Sequence, residues 1–116
     1  MAKVLLLGLD SSITDELNPV LKQLGQSVHI AGLASRVLDH TDANVVFASG
    51  NTLGEVRARR PELPVVVVAR IPEVNDWLDA LDAGANDYCG GPFEPTQVRW
   101  VLESSLRAVP GQRAAA

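Results

Sequence analysis

Four consecutive valines constrain the fold of this chain more than any other feature. Residues 65–68 are all valine, with Pro64 before them and Ala69 after them. A strand with one face in water alternates apolar and polar side chains, whereas an unbroken β-branched run has to be buried on both faces. The run therefore predicts a strand of a parallel sheet that is covered by helices on both sides.

Shorter apolar runs recur along the chain and predict the other strands, at residues 4–7, 28–31, 45–48 and 87–89. Segments with helical spacing alternate with them, at residues 13–24, 34–40, 52–60 and 72–84 and after Pro95. Strict alternation with short connections predicts an α/β fold, a doubly wound three-layer sandwich around a five-stranded parallel sheet. Functional sites in such sheets lie at the carboxyl ends of the strands.

Capping and proline signals locate several helix ends. Thr52-x-x-Glu55 has the spacing of a capping box for the third helix, and Pro72 suits the first turn of the fourth. Pro19 interrupts the first helical pattern, so either that helix kinks or Asn18 caps a new start.

The fourth and fifth helices carry apolar stripes, and the tryptophans differ in their place on them. One face of the fourth helix holds Val74, Trp77, Leu78 and Leu81. The stripe of the fifth helix is formed by Val98, Val101, Leu102 and Ser105. Trp100 falls off that stripe, and because tryptophan is enriched in protein interfaces it predicts a protein contact. The alternative is partial cover by its neighbours.

Composition excludes several classes of protein. The 116 residues suit one domain, with residues 1–108 folded and 109–116 a disordered tail or the start of a linker. Aromatic residues make up 4% and the net charge is −4, which argues against a nucleic-acid partner. One cysteine, Cys89, and two histidines predict no disulfide, no metal and no cofactor. No run approaches the length of a membrane span, so a cytoplasmic location with no membrane contact is expected.

Residues 80–95 read A-L-D-A-G-A-N-D-Y-C-G-G-P-F-E-P. This stretch resembles the end of the receiver domain of two-component response regulators, which typically reads A-L-x-A-G-A-x-D-Y-x-x-K-P-F-x-P. The opening Lys3-Val-Leu-Leu-Leu, the valine strand and the chain length agree, so the resemblance covers residues 3 to about 107. It implies a CheY-like, flavodoxin-like (βα)5 fold with strand order 2-1-3-4-5. It also makes Gly91-Pro92 a candidate cis peptide bond.

The residues of the family's phosphoryl-transfer chemistry are changed here. The resemblance places the family's acidic pair on Gly8 and Leu9 and its acceptor aspartate on Ser49, or on Ala48 with a shift of one residue. It places the family's Thr or Ser on Ala69 and its lysine on Gly91. Asp10, one place beyond the pair, retains a carboxylate.

This degenerate pocket suits neither the metal nor the reaction. One carboxylate beside a neutral serine is a poor site for Mg²⁺, and a serine hydroxyl without a base is a weak nucleophile. The chain therefore looks like an atypical receiver, or pseudo-receiver, with no enzymatic activity.

Two functions from different classes follow. The first is a phosphorelay-type signalling module that works without phosphorylation, by contact with a protein partner or a second copy. Its contacts would use the fourth helix, fifth strand and fifth helix, where the resemblance places the switch aromatic on Tyr88 and retains Phe93, and where Trp100 also lies. An effector domain could be linked in a longer chain. The second is a ligand-binding or enzymatic flavodoxin-like domain that uses the loops around Asp10 and Ser49.

Several signals have a purely structural alternative. Asp10-Ser11-Ser12 could bind a phosphate or metal, but capping of the first helix by Ser11 or Ser12 is favoured. An anion could dock near Ser49, but a tight turn followed by a Thr52 cap is favoured. Tyr88 is either a switch or a static aromatic.

The charged residues of two helices also leave a choice. The third helix holds Arg57, Arg59 and Arg60, and the fourth holds Glu73, Asp76, Asp79 and Asp82. Mutual neutralisation of the two helices is favoured over an acidic stripe that selects a basic partner.

Overall fold

The computed structural model describes residues 2–32, 35–71 and 74–107. The predicted helix starts at Ala34 and Pro72, the acidic Glu73 and the predicted tail lie outside the described residues. The strands are β1 (Lys3–Leu7), β2 (Ser27–Ala31), β3 (Val45–Ala48), β4 (Val65–Ala69) and β5 (Asp87–Gly90). The helices are α1 (Ser11–Gln23), α2 (Ser35–His40), α3 (Leu53–Arg59), α4 (Val74–Asp82) and α5 (Pro95–Arg107), with a 3-10 turn at Gly50–Thr52.

All five strands form one parallel sheet in the order β2-β1-β3-β4-β5. This order confirms the predicted flavodoxin-like architecture. The valines of β4 are buried on both faces, because Val66 and Val68 point into one core and Val65 and Val67 into the other. The first core is closed by α1 and α5, and the second by α2, α3 and α4.

Helix α1 runs through Pro19 without a new start, so the alternative in which Asn18 caps a second helix is wrong. Proline cannot donate a hydrogen bond to the carbonyl four residues earlier, which here belongs to Asp15. Both Pro19 and Asp15 are exposed. The helix nevertheless continues to Gln23.

The apolar stripes of α4 and α5 differ in burial. Val98, Val101, Leu102 and Ser105 of α5 are buried, as their spacing indicates, and Trp100 is 67% exposed. In α4 the described residue that enters the core is Ala80, while Trp77, Leu78 and Leu81 are exposed. The apolar stripe of α4 therefore faces outward.

Candidate functional site

The residues of the degenerate pocket meet at the carboxyl edge of the sheet. Leu7 pairs with Ala48, and Ala69 pairs with Gly90, so the residues that follow these strands lie along one edge. These are Gly8, Ser49, Arg70 and Gly91. Three of these four residues, Gly8, Ser49 and Gly91, are positions that the resemblance assigns to phosphoryl transfer, and Arg70 is not.

Asp10 is the N-cap of α1. Its carboxylate accepts a hydrogen bond from the backbone N–H of Ser12 at 2.9 Å and one from the Ser12 hydroxyl at 3.1 Å. These bonds, the backbone one first, lower the pKa of Asp10, and the positive charge of Arg70 adds to the effect. The predicted cap exists, but Asp10 provides it, and the assignment to Ser11 or Ser12 is wrong.

Ser49 is engaged with Thr52. Their hydroxyl oxygens are 2.8 Å apart, and the backbone N–H of Thr52 donates to the Ser49 carbonyl at 3.0 Å. Thr52 is buried and makes no side-chain cap bond to α3, so the predicted capping box with Glu55 is wrong. The Thr52 hydroxyl, which would cap the helix, is instead bonded to the hydroxyl of Ser49, the residue before the 3-10 turn.

Gly91 lies against the backbone of the loop that follows β4. A Cβ at this position would lie 2.7 Å from the carbonyl oxygen of Arg70, a separation that a real side chain does not tolerate. The N–H of Gly91 donates to the Ala69 carbonyl at 3.0 Å, and the Gly91-Pro92 peptide bond is cis, as predicted. Residue 91 therefore cannot carry a lysine, or any side chain, on this backbone.

Arg70 is a residue of this edge that sequence reasoning missed. Its guanidinium donates to Glu16 of α1 at 2.8 Å, so an ion pair spans the carboxyl edge from the β4–α4 loop to α1. A basic residue directly after Ala69 was the available signal. Its partner could not be found from sequence, because Glu16 lies 54 positions away.

The side chains at this edge do not fit a magnesium ion. Among the degenerate positions Gly8, Leu9, Asp10, Ser49, Ala69 and Gly91, one carboxylate is present, and it already serves as a helix cap. Mg²⁺ needs several oxygen ligands in near-octahedral geometry. Within the described residues, no group of three or more His, Cys, Asp and Glu side chains is placed to hold a metal.

A cavity of about 390 Å³ opens between α3 and α4 beside this edge. Leu53, Val67 and Ala80 contribute apolar walls, and Asp76 and Asp79 contribute carboxylates. The half-buried Tyr88 also lines this cavity.

The ion pairs that the structure describes for Arg59 and Arg60 are with acids outside α4, and the choice between mutual neutralisation and an acidic stripe stays a prediction. Arg59 pairs with Asp39 and Glu55, and Arg60 pairs with Glu62. Arg57 donates to backbone carbonyls and to Asn86. Arg59 and Arg60 thus pair with acids on α2, on α3 and in the loop after α3, whereas Arg57 reaches the carbonyl of Gly84 in the turn after α4.

Phe93 differs from the other predicted contact residues. It is 7% exposed and packs in the core closed by α1 and α5, so its assignment to the contact surface is corrected. It supports α5 from beneath. Trp100 is exposed, whereas Tyr88 is half-buried and packs against the second core, and the roles of both stay predictions.

The chain matches no known protein-family model, and no curated protein matches it. Its likeness is to solved structures, and it is a likeness of fold. NtrX from Brucella abortus superposes with a TM-score of 0.82 at 22% identity, over 98% of this chain and 29% of that one. The chain thus spans less than a third of the length of NtrX.

Single-domain structures agree with this fold. A response regulator receiver domain protein from Clostridium thermocellum gives a TM-score of 0.75 at 18% identity, over 91% of this chain and 94% of its own. The receiver domain of the sensor histidine kinase PA1611 from Pseudomonas aeruginosa gives 0.76 at 18%, over 92% and 98%. That receiver was solved with a magnesium ion coordinated in its active-site cleft. The chain therefore has the CheY-like receiver fold.

Membrane-spanning helices were sought over the same described ranges. None of the helices there has the length and apolar character that crossing a bilayer requires.

Proposed function

We propose that this chain is a receiver-type signalling module that works without accepting a phosphoryl group. It is not an enzyme, and it acts by contact with a protein. The contact uses the outer side of α4, β5 and α5, named here the partner face, which carries Trp77, Leu78, Leu81 and Trp100. The module comprises residues 1–108, and a linked effector domain fits the likeness to one part of NtrX.

The observation that carries this proposal is the closed position at residue 91. The carbonyl oxygen of Arg70 occupies the space where the family's lysine would begin. The backbone around residue 91 therefore leaves no room for a lysine side chain. The metal and acceptor positions agree with this, because Gly8 and Leu9 carry no carboxylates and Ser49 is bonded to Thr52.

The alternative of a ligand-binding or enzymatic domain at the loops around Asp10 and Ser49 is not favoured by any contact. Both polar groups already have local hydrogen-bond partners. A ligand there would have to displace a helix cap or a serine–threonine bond, and each loss costs about 1 kcal/mol.

The test is an amide NMR titration with Mg²⁺ and beryllofluoride, a phosphoryl mimic. We expect no change at Ser49, Ala69 or Tyr88 beyond that caused by the Mg²⁺ salt alone. The PA1611 receiver, solved with magnesium in its cleft, is the positive control. Large shifts at those three residues of this chain would overturn phosphorylation independence.

A second variant sharpens the result. The double substitution Leu9→Asp and Ser49→Asp restores two carboxylates but leaves Gly91 in place. We expect this variant also to fail to respond to beryllofluoride, since the lysine position stays closed. A full response from it would show that the closed position is not what prevents the chemistry.

A further inference from the structure

Strand β2 lies at one edge of the sheet, and its sequence lacks the features that usually protect such an edge. It pairs with β1 residue by residue from Ser27 to Ala31, without a bulge. A free edge can pair with another strand, and natural proteins commonly block it with a charged side chain, a proline or a bulge. The strand at the opposite edge, β5, begins with the charged Asp87. The residues of β2, S-V-H-I-A, include no Asp, Glu, Lys, Arg or Pro.

The hydrogen bonds at the two ends of β2 show which of its backbone groups face outward. The N–H of Ser27 donates to the carbonyl just before β1 at 2.9 Å, and the carbonyl of Ala31 accepts from the N–H just after β1 at 3.0 Å. Backbone groups of successive residues point to alternate sides of a strand, so those of His29 also face β1. Those of Val28 and Ile30 face away from the sheet. In the described part of the chain, no turn, loop or cap bond between backbone groups uses either residue.

The surroundings of β2 leave this edge accessible. Ile30 is 50% exposed, His29 is exposed and Val28 is half-buried. Helix α2 is short and packs beside α3. A cavity of about 440 Å³ lies between α2 and the strand, where Val37 and His40 of α2 line it together with His29. Helix α2 therefore does not close the side of β2 that carries His29.

We propose that β2 pairs with β2 of a second copy of the chain. A two-fold axis at His29 makes the two strands antiparallel, so that Val28 of each copy lies opposite Ile30 of the other. The backbone groups of both residues face outward, and each of these pairs exchanges both of its N–H···O bonds. The two sheets then form one continuous sheet. This contact lies at the edge opposite the partner face, and it does not depend on the proposed function.

The sequence of β2 makes the strand a suitable partner for itself. Val28 and Ile30 flank His29 symmetrically, and both lie on the side of the sheet that faces the first core. Each copy therefore places a β-branched side chain opposite a β-branched side chain of the other, a cross-strand pair that stabilises a sheet. A two-fold contact uses the same surface on both copies, and this register meets that requirement. The strand also brings no carboxylate, lysine or arginine against its own equivalent.

The test is backbone hydrogen exchange followed by NMR on the whole chain at several concentrations. In the monomer the N–H groups of Val28 and Ile30 face water and should exchange fast, whereas that of His29 is bonded to β1 and should exchange slowly. We expect exchange at Val28 and Ile30 to slow roughly tenfold once about nine-tenths of the chain is dimeric, because pairing occupies these N–H groups. A dimer in which both amides still exchange fast would overturn the proposal.

Sedimentation equilibrium on the same samples measures the association itself. Two short strands make a small contact, so we expect a weak dimer that dissociates on dilution. A monomer mass that persists at about 1 mM chain would overturn the proposal.

Two lysine variants locate the contact. Ile30 is 50% exposed and Leu78, on the partner face, is 49% exposed, so Ile30→Lys and Leu78→Lys are closely matched changes. Ile30→Lys should raise the dissociation constant of the dimer roughly tenfold or more, because its charge has to be buried against the second copy. Leu78→Lys should leave the constant unchanged. A dimer that is weakened as much by Leu78→Lys as by Ile30→Lys would overturn the proposal.

A proline variant tests the backbone bonds. Ile30→Pro removes an outward N–H and spares the bonds to β1, and proline is tolerated in an edge strand where its nitrogen faces solvent. We expect a monomer with the circular dichroism spectrum of the wild type. If the proline variant does not fold, the decision rests on Ile30→Lys. A dimer that survives in a folded Ile30→Pro variant would be held by another surface, and the proposal would be wrong.

Discussion

Arg57 joins three segments at the end of the sheet opposite the degenerate pocket. From α3, its guanidinium donates to the carbonyl of Gly84 at 2.9 Å and to that of Leu63 at 2.6 Å. It also donates to the side-chain oxygen of Asn86 at 2.8 Å, which in turn accepts the N–H of Val65. One side chain thus ties α3 to the start of β4 and to the turn between α4 and β5.

Replacing Arg57 should therefore cost more than replacing a neighbouring arginine. We expect Arg57→Met to lower the free energy of unfolding by about 2 to 3 kcal/mol, since carbonyls and an amide lose a charged donor. Arg59→Met is the matched control on the same helix, because Arg59 makes surface ion pairs with Asp39 and Glu55 that contribute about 0 to 1 kcal/mol. Urea unfolding measures both, and equal losses would contradict this role of Arg57.

Sequence reasoning could not find this role, although it noted Arg57 as one of three arginines. Helical spacing assigns charge to a helix but says nothing about which loops come near it. The acceptors of Arg57 lie up to 29 positions further along the chain. The same reason explains the missed pair between Arg70 and Glu16, whereas exposure of Trp100 followed from local periodicity alone.

At the scale of the element, the start of α1 shows how a helix cap can account for polar residues that also resemble a ligand site. The segment Asp10-Ser11-Ser12 could hold a ligand on sequence grounds. The carboxylate of Asp10 instead satisfies the N–H of Ser12, one of the backbone groups that the first turn leaves without a partner. The cap was predictable, but the choice among three capping residues in a row was not.

The cap gives a test of what Asp10 does. Asp10→Ala should lower the free energy of unfolding by about 1 kcal/mol, the usual value of an N-cap. Asp10→Asn should retain most of that free energy, since an amide oxygen can accept the same bond. Thermal unfolding of the two variants decides the matter, and equal losses in the two variants would show that the charge of Asp10, rather than its hydrogen bond to the Ser12 N–H, is what matters.

Helix α3 shows the limit of such signals. The spacing of Thr52 and Glu55 indicates a capping box, yet α3 begins at Leu53 after a 3-10 turn. The Thr52 hydroxyl has a competing partner in Ser49, three residues earlier, and that bond prevails. The spacing thus identifies Thr52 as a hydrogen-bonding residue at the start of α3, but it does not show that its hydroxyl bonds to Ser49.

At the scale of the whole molecule, the sheet was the most predictable feature. Residues 45–48 and 65–69 were predicted as strands and form β3 and β4 with the same bounds. Continuous β-branched runs leave few alternatives when both faces are buried. The outward stripe of α4 could not be predicted, since periodicity shows that a helix has an apolar face but not whether the sheet covers it.

The stability of the whole sandwich should depend on a buried thiol at high pH. Burial, and to a lesser degree Asp87, raises the pKa of Cys89 from 9.0 to about 11. The fold keeps the thiol neutral, so its contribution is intact below pH 9.0 and is lost as the pH rises toward about 11. Two pKa units correspond to about 2 to 3 kcal/mol at most.

The measurement compares wild type with Cys89→Ala by urea unfolding between pH 9.0 and about 11. The alanine variant carries a packing cost that does not depend on pH. Its disadvantage relative to wild type should therefore shrink across this range. Parallel curves for the two proteins would contradict the raised pKa.

The close approach of the Arg70 carbonyl to Gly91 limits the order in which substitutions can be made in this chain. A lysine at position 91 would first lower the stability of the fold, because its Cβ would clash with the Arg70 carbonyl until the loop after β4 moves. A lysine at this position therefore needs a second change in the loop after β4 at the same time, and the lysine substitution alone should be destabilising. For the same reason, a designer who wants a phosphorylation-gated version should rebuild the β4–α4 loop before touching any acidic position.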